Sequence, residues 1–338
     1  MAIPLLQVEN LSVEFKTDEG ALRAVNDVSF HVDAGETLGL AGESGSGKSV
    51  TNLAMLGLVP SPPGRVVAGR ALFRGEDLLT MKPERLRQIR GRHIAMIFQD
   101  PMTSLNPLMT VADQLTELTR LHLGHTARQS LDHAVTMLER VGIPAAARRV
   151  QDYPHQFSGG MRQRVMIAMA LSCKPELLIA DEPTTALDVT IQAQILELIR
   201  ELQEQEGTAV ILITHDLGVM ANSCRRVAVM YAGRIVEEAP VDTLFYKPRH
   251  PYTLGLLNSR PKLRSDGASR LEPIPGQPPN VALLPGGCAF QSRCGFAVDR
   301  CRTERPELRS SPEGSRFACH IDVDTAPTHA PEAAEVRR

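Results

Sequence analysis

The fold is decided by one stretch near the N-terminus, Gly42-Glu43-Ser44-Gly45-Ser46-Gly47-Lys48-Ser49. An apolar run, Thr37 to Ala41, precedes it and predicts a buried strand, and Val50 to Leu58 follows it with the apolar spacing of a helix. Glycines let such a loop curl until successive N–H groups point at a phosphate chain, and the N-terminus of the helix adds the positive end of its dipole. The order of strand, glycine-rich loop and helix therefore predicts a site for the phosphates of a nucleotide.

Two residues at the end of this stretch carry the chemistry. Lys48 can reach the β- and γ-phosphates of a nucleotide, and Ser49 can place its hydroxyl on Mg²⁺. The stretch matches the whole pattern G-x-x-x-x-G-K-[ST]. The alternative, a turn rich in glycine and serine with an unrelated lysine, is disfavoured by the strand and the helix on either side.

Two further apolar runs end in polar residues. Leu177 to Ala180 leads into Asp181 and Glu182, and Ala209 to Ile213 is followed two residues later by His215. Parallel strands buried on both faces give such continuous apolar runs, and ligands sit beyond their carboxyl ends. We therefore predict that Asp181 holds Mg²⁺ through water and that Glu182 takes a proton from an attacking water, with His215 at the same edge of the sheet.

A helical insert is predicted over about residues 105–172. Thr110 to Leu123 and Thr126 to Val141 have helical periodicity, and Ser158 followed by two glycines opens a further helix. Ser158 as N-cap leaves the first N–H groups of that helix uncovered, which makes a second anion-binding end. One nucleotide rarely needs two such ends from one subunit.

The N-terminal segments alternate apolar and polar residues. Leu5 to Phe15 and Ala24 to Val32 predict an antiparallel sheet that flanks the nucleotide strand. Phe15 lies just before the turn between them and can stack on an adenine, although an edge-strand aromatic residue is also a common core residue.

Charge and hydropathy exclude several classes of function. The 338 residues have a formal charge of -2 and a pI near 6.6, so no overall basic field predicts a nucleic-acid partner. Met1 to Asn10 lacks a basic region and a long apolar core, so no signal peptide is predicted. No window approaches ~18 uninterrupted apolar residues. We expect a cytosolic protein whose membrane role is peripheral.

Six motifs stand in one order along the chain: residues 42–49, Gln99, residues 157–161, residues 177–182, residues 185–188 and His215. This order resembles the nucleotide-binding subunit of ABC transporters, and the resemblance covers roughly Leu5 to Glu238. It implies an α/β P-loop ABC-type ATPase with a RecA-like core, an antiparallel β subdomain and a helical insert. It also implies that the nucleotide is ATP, bound with Mg²⁺.

The resemblance assigns residues to the ATP site. Phe15 matches the aromatic residue that stacks on adenine, Gln99 the glutamine that senses Mg²⁺ and the attacking water, Glu182 the catalytic base and His215 the switch histidine on the γ-phosphate. The implied ligands of Mg²⁺ are Ser49, Gln99 and Asp181. The implied catalytic residues are Gln99, Glu182 and His215. The implied ATP-binding residues are Phe15, Gly42, Glu43, Ser44, Gly45, Ser46, Gly47, Lys48 and Ser49.

The same resemblance explains the second anion-binding end. The signature of the family contacts the ATP held by the opposite subunit of a dimer, and Asp188 matches the interface loop, or D-loop. The residues that match the signature are Phe157, Ser158, Gly159, Gly160 and Met161. Phe157 and Met161 stand where leucine and glutamine are commonest, whereas the Ser-Gly-Gly core is intact.

The C-terminal part narrows the resemblance. The C-terminal extension of the ATP-binding subunits of dipeptide/oligopeptide permeases is resembled by three stretches, His250 to Leu257, Ile274 to Pro279 and Gly287 to Phe290, and by the pair Arg293-Cys294. These are bacterial importers in which two ATPase subunits, often non-identical, drive two transmembrane permease subunits fed by a periplasmic substrate-binding protein. Close relatives import nickel complexes, glutathione or sugar oligomers. The implied location is the cytoplasmic face of the inner membrane.

Four cysteines crowd into this extension: Cys288, Cys294, Cys301 and Cys319, separated by five, six and 17 residues. A cytosolic ATPase sits in a reducing compartment, so a metal site explains the thiols better than disulfides do. Structural zinc commonly uses pairs separated by two to four residues, which are missing here, and spacing alone leaves zinc and iron–sulfur open. Some dipeptide permease ATPases carry a [4Fe-4S] cluster in this extension, so the resemblance favours that cluster, with Zn²⁺ or four unligated thiols as alternatives.

We therefore predict a nucleotide-binding domain over residues 1–255, a permease-type extension over 256–324 and a disordered tail over 325–338, which is rich in Ala, Pro and Glu. Two rival interpretations stay open. A soluble ABC-type protein that acts in DNA repair or on the ribosome would share the motifs, but it would usually have a long coiled-coil insertion or two ATPase halves. The other interpretation, a redox-sensing binding module, is supported by the cysteine cluster alone.

Overall fold

The computed structural model of the chain describes residues 3–18, 20–184, 189–259, 273–321 and 323. The strands are β1 (Leu6–Thr17), β2 (Gly20–Val32), β3 (Thr37–Ala41), β4 (Gly64–Phe73), β5 (Glu76–Asp77), β6 (Ile94–Ile97), β7 (Leu177–Asp181), β8 (Ala209–Ile213), β9 (Arg226–Tyr231), β10 (Arg234–Pro240), β11 (Arg309–Ser310) and β12 (Arg316–Phe317).

The helices are α1 (Lys48–Met55), α2 (Pro83–Ile89), α3 (Pro101–Ser104), α4 (Val111–Leu123), α5 (Ala127–Arg140), α6 (Ala146–Arg149), α7 (Gly159–Leu171), α8 (Val189–Glu206), α9 (Leu217–Ser223), α10 (Val241–Tyr246), α11 (Pro251–Asn258) and α12 (Arg300–Thr303). Short 3-10 turns cover Pro154–Gln156, Val281–Leu283 and Gln291–Arg293. Each helix in the described part of the chain is too short or too polar to span a bilayer.

Two sheets form the scaffold. The first is antiparallel, with the strand order β2-β1-β4-β5, and the second has the order β11-β12-β10-β9-β3-β8-β7-β6. In the second sheet β6, β7, β8, β3 and β9 run parallel, whereas β10, β12 and β11 are antiparallel to their neighbours. The predicted α/β class and the antiparallel β subdomain are confirmed.

The apolar run in β7 explains how the layers are held together. Leu177 and Ile179 belong to a core shared with the antiparallel sheet and α1, whereas Leu178 and Ala180 belong to a core shared with the helical insert and α7. Successive side chains of a strand point to opposite faces, so a strand covered on both faces must be apolar throughout. The second sheet is therefore the middle layer.

Two helices of the helical insert begin where the sequence predicts. Thr110 and Thr126 are the N-caps of α4 and α5, and each forms a capping box with the residue three positions later, Asp113 or Gln129. In a capping box two of the helix's unpaired N–H groups are satisfied reciprocally. The two predicted helices over 110–123 and 126–141 are confirmed to within one residue at each end.

The C-terminal extension is joined to the second sheet. β12 pairs with β10 in the register Glu237↔Phe317, and β11 extends the same edge. The Glu237 carboxylate is fully buried and accepts the backbone N–H groups of Arg249 at 2.7 Å and His250 at 2.9 Å, where α11 begins. The helix α11 runs across the boundary predicted at residue 255, and the predicted tail over 325–338 lies outside the described residues.

We predict that Glu237→Gln lowers the free energy of unfolding by about 1–3 kcal/mol, because one backbone N–H would then face an amide NH₂ and lose its buried acceptor. The measurement is denaturant unfolding of the full-length chain without nucleotide. Glu201→Gln, an exposed substitution on α8 with the same change of charge, is the control and should shift stability by less than about 0.5 kcal/mol. Equal stability of the two variants would contradict the assigned role of Glu237.

Candidate nucleotide site

The glycine-rich loop connects β3 to α1, as predicted. Gly47 is the N-cap of α1 with a φ of 103°, and Gly42 has a φ of +142°. These left-handed values are strained for residues with a Cβ. A Cβ at Gly42 would also overlap the carbonyl oxygen of Met230 on β9. Only glycine therefore lets the loop pass this close to the neighbouring strand.

Lys48 is buried inside the loop. Its Nζ donates to the carbonyl oxygens of Gly42 at 2.7 Å and Glu43 at 2.9 Å, and to the Ser46 hydroxyl at 3.3 Å. Burial lowers the pKa of Lys48, and the nearby charges of Glu182 and Asp181 act in the opposite direction. The backbone of the phosphate loop therefore holds the Lys48 ammonium in place.

Asp181 ends β7 beside the loop. Burial raises the pKa of its carboxyl, and a hydrogen bond with the Ser49 hydroxyl partly opposes that rise. The buried Oδ1 atom has no hydrogen-bond partner among the described residues. An unpartnered buried carboxylate oxygen next to a hydroxyl is a donor set that suits Mg²⁺ and its waters. Ser49 and Asp181 therefore fit the predicted ion.

Glu182 lies at the centre of the predicted catalytic group. Its φ is 46°, an uncommon value for a residue with a side chain, and its backbone N–H donates to Ile213 of β8 at 2.9 Å. Gln99 Nε2 donates to Glu182 Oε2 at 3.0 Å, and His215 Nδ1 lies 3.6 Å from Glu182 Oε1. The structure thus brings together Gln99, Glu182 and His215, which come from three separate parts of the sequence.

The signature residues form the N-terminus of α7. Ser158 is the N-cap and accepts the N–H of Met161 at 3.3 Å, while Phe157 is buried. Ser158 and Gly159 are exposed, so this end of the helix is open to solvent. Further along α7, Gln163 Nε2 donates to the carbonyl oxygen of Pro183 at 2.5 Å, which ties the helix to the segment after Glu182. Asp188, the predicted D-loop residue, lies outside the described residues.

A cavity of about 470 Å³ lies beside the loop on the side of Phe15. Phe15 lines it with the loop residues 43–47, and Pro278–Val281 of the C-terminal extension form part of its wall. The stacking role of Phe15 stays a prediction. Sequence analysis missed the wall residues, because no motif marks a contact made across more than two hundred residues of chain.

The four cysteines of the extension line one small cavity of about 10 Å³. All of them are free thiols, and burial raises the pKa of Cys288, that of Cys294 to about 12 and that of Cys319 to about 11. In the described residues no group of three or more His, Cys, Asp or Glu side chains is arranged to hold a metal ion. The donor set suits a metal, but a cavity with room for about one water would have to widen to accept one.

Comparisons with known proteins agree with this geometry. The ABC transporter family profile matches residues 25–185, and the profile of the oligopeptide/dipeptide transporter C-terminal region matches residues 236–301. The oligopeptide transport ATP-binding protein OppD of Bacillus subtilis is 55% identical over 294 residues, which cover 87% of this chain and 82% of that protein. OppD of Salmonella typhimurium is 52% identical over 320 residues, 95% of this chain and 94% of that protein.

A solved structure gives the same fold. The ATP-binding cassette MJ0796, in a dimeric post-hydrolysis state bound to ADP and Pi, superposes with a TM-score of 0.64 at 26% identity, covering 70% of this chain and 98% of that one. The phosphate loop, the carboxylates at the end of β7 and the matched C-terminal region therefore have one explanation. The chain belongs to the ABC transporter ATPases, in the group of ATP-binding subunits that carry the oligopeptide/dipeptide transporter C-terminal region.

Proposed function

We propose that this chain powers the import of di- and oligopeptides across a bacterial inner membrane, by closing on ATP with a second, non-identical ATPase subunit. ATP hydrolysis is supported by one observation: the side chains of Gln99 and His215 both lie next to the Glu182 carboxylate. The peptide substrate is carried over from the relatives named oligopeptide transport ATP-binding proteins, with which the chain shares its C-terminal region.

In the proposed mechanism the loop amides over residues 42–49 bind the phosphates of ATP, and Lys48 turns its ammonium toward the β- and γ-phosphates. Mg²⁺ would be held by Ser49, Asp181 and Gln99 and would neutralise charge on the transferred phosphoryl group. Phe15 stacks on the adenine at the edge of the neighbouring cavity.

Glu182 accepts the proton of the water that attacks the γ-phosphate. Gln99 donates to one carboxylate oxygen and His215 lies near the other, so both side chains orient the base before ATP arrives. The left-handed backbone of Glu182 is a strained feature of the kind that concentrates at active sites. His215 then contacts the γ-phosphate.

The signature residues 157–161 complete the site of the partner subunit. Their exposed helix N-terminus offers N–H groups to an anion outside this chain, and the related cassette of known structure is a dimer. Asp188 would line the same interface. Because each ATP needs both subunits, an isolated chain should hydrolyse ATP poorly.

We assign contact with two transmembrane permease subunits to the segment 100–107, which follows Gln99. A movement at the ATP site can be transmitted to this segment, because the Gln99 side chain forms a hydrogen bond with the Glu182 carboxylate. Leu108 next to it is 86% exposed, which suits a contact with a partner. The chain would then sit peripherally on the cytoplasmic face of the membrane and meet the periplasmic substrate-binding protein only indirectly. No nucleic acid takes part.

We also propose that Cys288, Cys294, Cys301 and Cys319 bind an iron–sulfur cluster of the [4Fe-4S] type, with Zn²⁺ as the alternative. The proposal is supported by four free thiols around one cavity. Because burial raises the pKa of Cys288, Cys294 and Cys319, the thiolates that ligate metal would form at these residues only as the metal binds. The site lies outside the phosphate loop, so its role would be structural or sensory.

Changing Glu182→Gln should leave nucleotide affinity within about threefold of wild type and lower ATP turnover by ~10²-fold or more, since an amide cannot accept the proton. Phosphate release and nucleotide binding should be measured on the full-length chain with the subunits that co-purify with it. Glu139→Gln, an exposed change of the same kind on α5, should leave both unchanged. Near-normal turnover by Glu182→Gln would remove Glu182 from the role of base.

Anaerobic purification should yield the full-length chain with iron, acid-labile sulfide and visible absorbance. Replacement of Cys294 and Cys301 by serine should abolish that absorbance, whereas Cys224→Ser, at a buried thiol that follows α9 and does not line the cavity, should not. Stoichiometric zinc without iron would favour the Zn²⁺ alternative. Absence of both metals would leave four unligated thiols and contradict the proposal.

A further inference from the structure

The second residue of the phosphate loop is bound by the C-terminal extension. The guanidinium of Arg293 donates from Nη1 to Glu43 Oε2 at 2.6 Å and from Nη2 to Glu43 Oε1 at 2.9 Å. Paired parallel bonds of this kind fix the relative orientation of the two groups as well as their distance. Glu43 and Arg293 are separated by 250 positions in the sequence.

The arginine is itself held rigidly. Its Nε donates to the carbonyl oxygen of Pro275 at 2.9 Å, and its guanidinium carbon lies 5.9 Å and 6.0 Å from the ring centres of Tyr231 and Phe290. The side chain of Arg293 is only 4% exposed. A planar cation with its remaining face against aromatic rings has little freedom to move. Arg293 therefore acts on Glu43 from a fixed position.

A second group reaches the same loop residue. The Tyr252 hydroxyl on α11 accepts the backbone N–H of Glu43 at 2.7 Å. Tyr252 is fully buried, and its ring packs against those of Tyr231 and Phe290 at centroid distances of 4.6 Å and 5.4 Å. Both the main chain and the side chain of Glu43 thus form hydrogen bonds with residues that lie between β10 and β11 in the sequence.

The contacts of Glu43 also affect Lys48, the residue that would contact the phosphates. The carbonyl oxygen of Glu43 is one of the two that hold the Lys48 ammonium, so the position of Glu43 also sets the position of Lys48. The wall of the neighbouring cavity, Pro278–Val281, comes from the same extension. The extension therefore contacts the nucleotide site through two of its segments, at Arg293 and at Pro278–Val281.

We propose that Arg293, together with Tyr252, is a positioning residue for nucleotide binding: α11 and the C-terminal extension that follows it hold Glu43 and thereby keep the phosphate loop in its binding conformation. This inference rests on the proposed ATP site. It assigns to the extension a direct influence on nucleotide affinity, in addition to any role in metal binding. Loss of the Glu43 ties should raise the entropy that the loop must give up when phosphate binds.

The test compares nucleotide binding by the full-length wild-type chain with that of two variants. Glu43→Gln/Arg293→Gln removes both charges, so no unpaired charge stays buried, and Tyr252→Phe removes only the hydroxyl acceptor. We expect Kd for Mg-ADP, measured by titration calorimetry, to rise about tenfold in the double variant and about threefold in Tyr252→Phe. In steady-state assays with the co-purifying subunits, KM for ATP should rise by more than kcat falls.

The matched control is Glu313→Gln. Glu313 of the extension also forms ion pairs with the core, to Arg249 at 2.8 Å and to Lys247 at 3.0 Å, and neither partner belongs to the phosphate loop. The Glu313→Gln variant should at most lower the free energy of unfolding, and its Kd for Mg-ADP should equal the wild-type value. An equal loss of affinity in the control would show a general structural effect and overturn the proposal.

Circular dichroism establishes which variants are folded. Wild-type affinity in both folded variants would overturn the proposal, and if the double variant does not fold, the result for Tyr252→Phe decides alone. A loss of affinity in either variant with an unchanged control supports it. Failure of the wild-type chain to bind Mg-ADP or Mg-ATP would instead refute the proposed ATP site, so the two failures are distinguishable.

Discussion

The burial of the Lys48 ammonium is the interaction on which the rest of the structure depends. A buried charge is costly unless it is surrounded by hydrogen-bond acceptors, and the loop supplies two carbonyl oxygens and a hydroxyl at 2.7–3.3 Å. These acceptors converge only because Gly42 and Gly47 take left-handed backbone angles. The buried ammonium of Lys48 is therefore stable only when the loop has its native conformation between β3 and α1.

The register of the parallel strands brings the other polar groups to this charge. Leu40 of β3 and Asp181 of β7 both pair with Ile213 of β8, so the three strands end at nearly the same level. Their continuations carry the phosphate loop, the carboxylate of Glu182 and the ring of His215. Glu182 and Asp181, which the sheet aligns with Lys48, are also the first two of the three carboxylates whose charges oppose the fall in the pKa of Lys48. Strand pairing, rather than any local motif, determines this grouping.

Sequence reasoning found the parts of the site that are encoded locally. The phosphate loop, the acidic pair at the end of β7 and the N-cap at Ser158 each depend on neighbouring residues, and the predicted strands and helices around them are confirmed. Tyr252 and Arg293 were recognised as part of the permease-type motifs, but their contact with Glu43 was not predicted. Glu43 is more than two hundred positions away from both, and no spacing rule relates such distant residues. The four cysteines were predicted only in part. Their clustering in the sequence matches the cavity that they share in the structure. Whether a metal fits depends on how side chains pack around that cavity, and the spacing of the cysteines in the sequence does not determine that packing.

The residues that follow β10 and the sheet of the ATPase core stabilise each other through buried contacts. Glu237 in the middle of β10 needs the N–H groups of Arg249 and His250, because a buried carboxylate without donors would be strongly destabilising. In return, β12 pairs with β10 and continues the sheet that carries the phosphate loop. Since Arg293 then contacts Glu43 itself, order in the extension and order in the loop are coupled through a few short, buried contacts. A region that follows the ATPase motifs in sequence is thus a part of the nucleotide site in three dimensions.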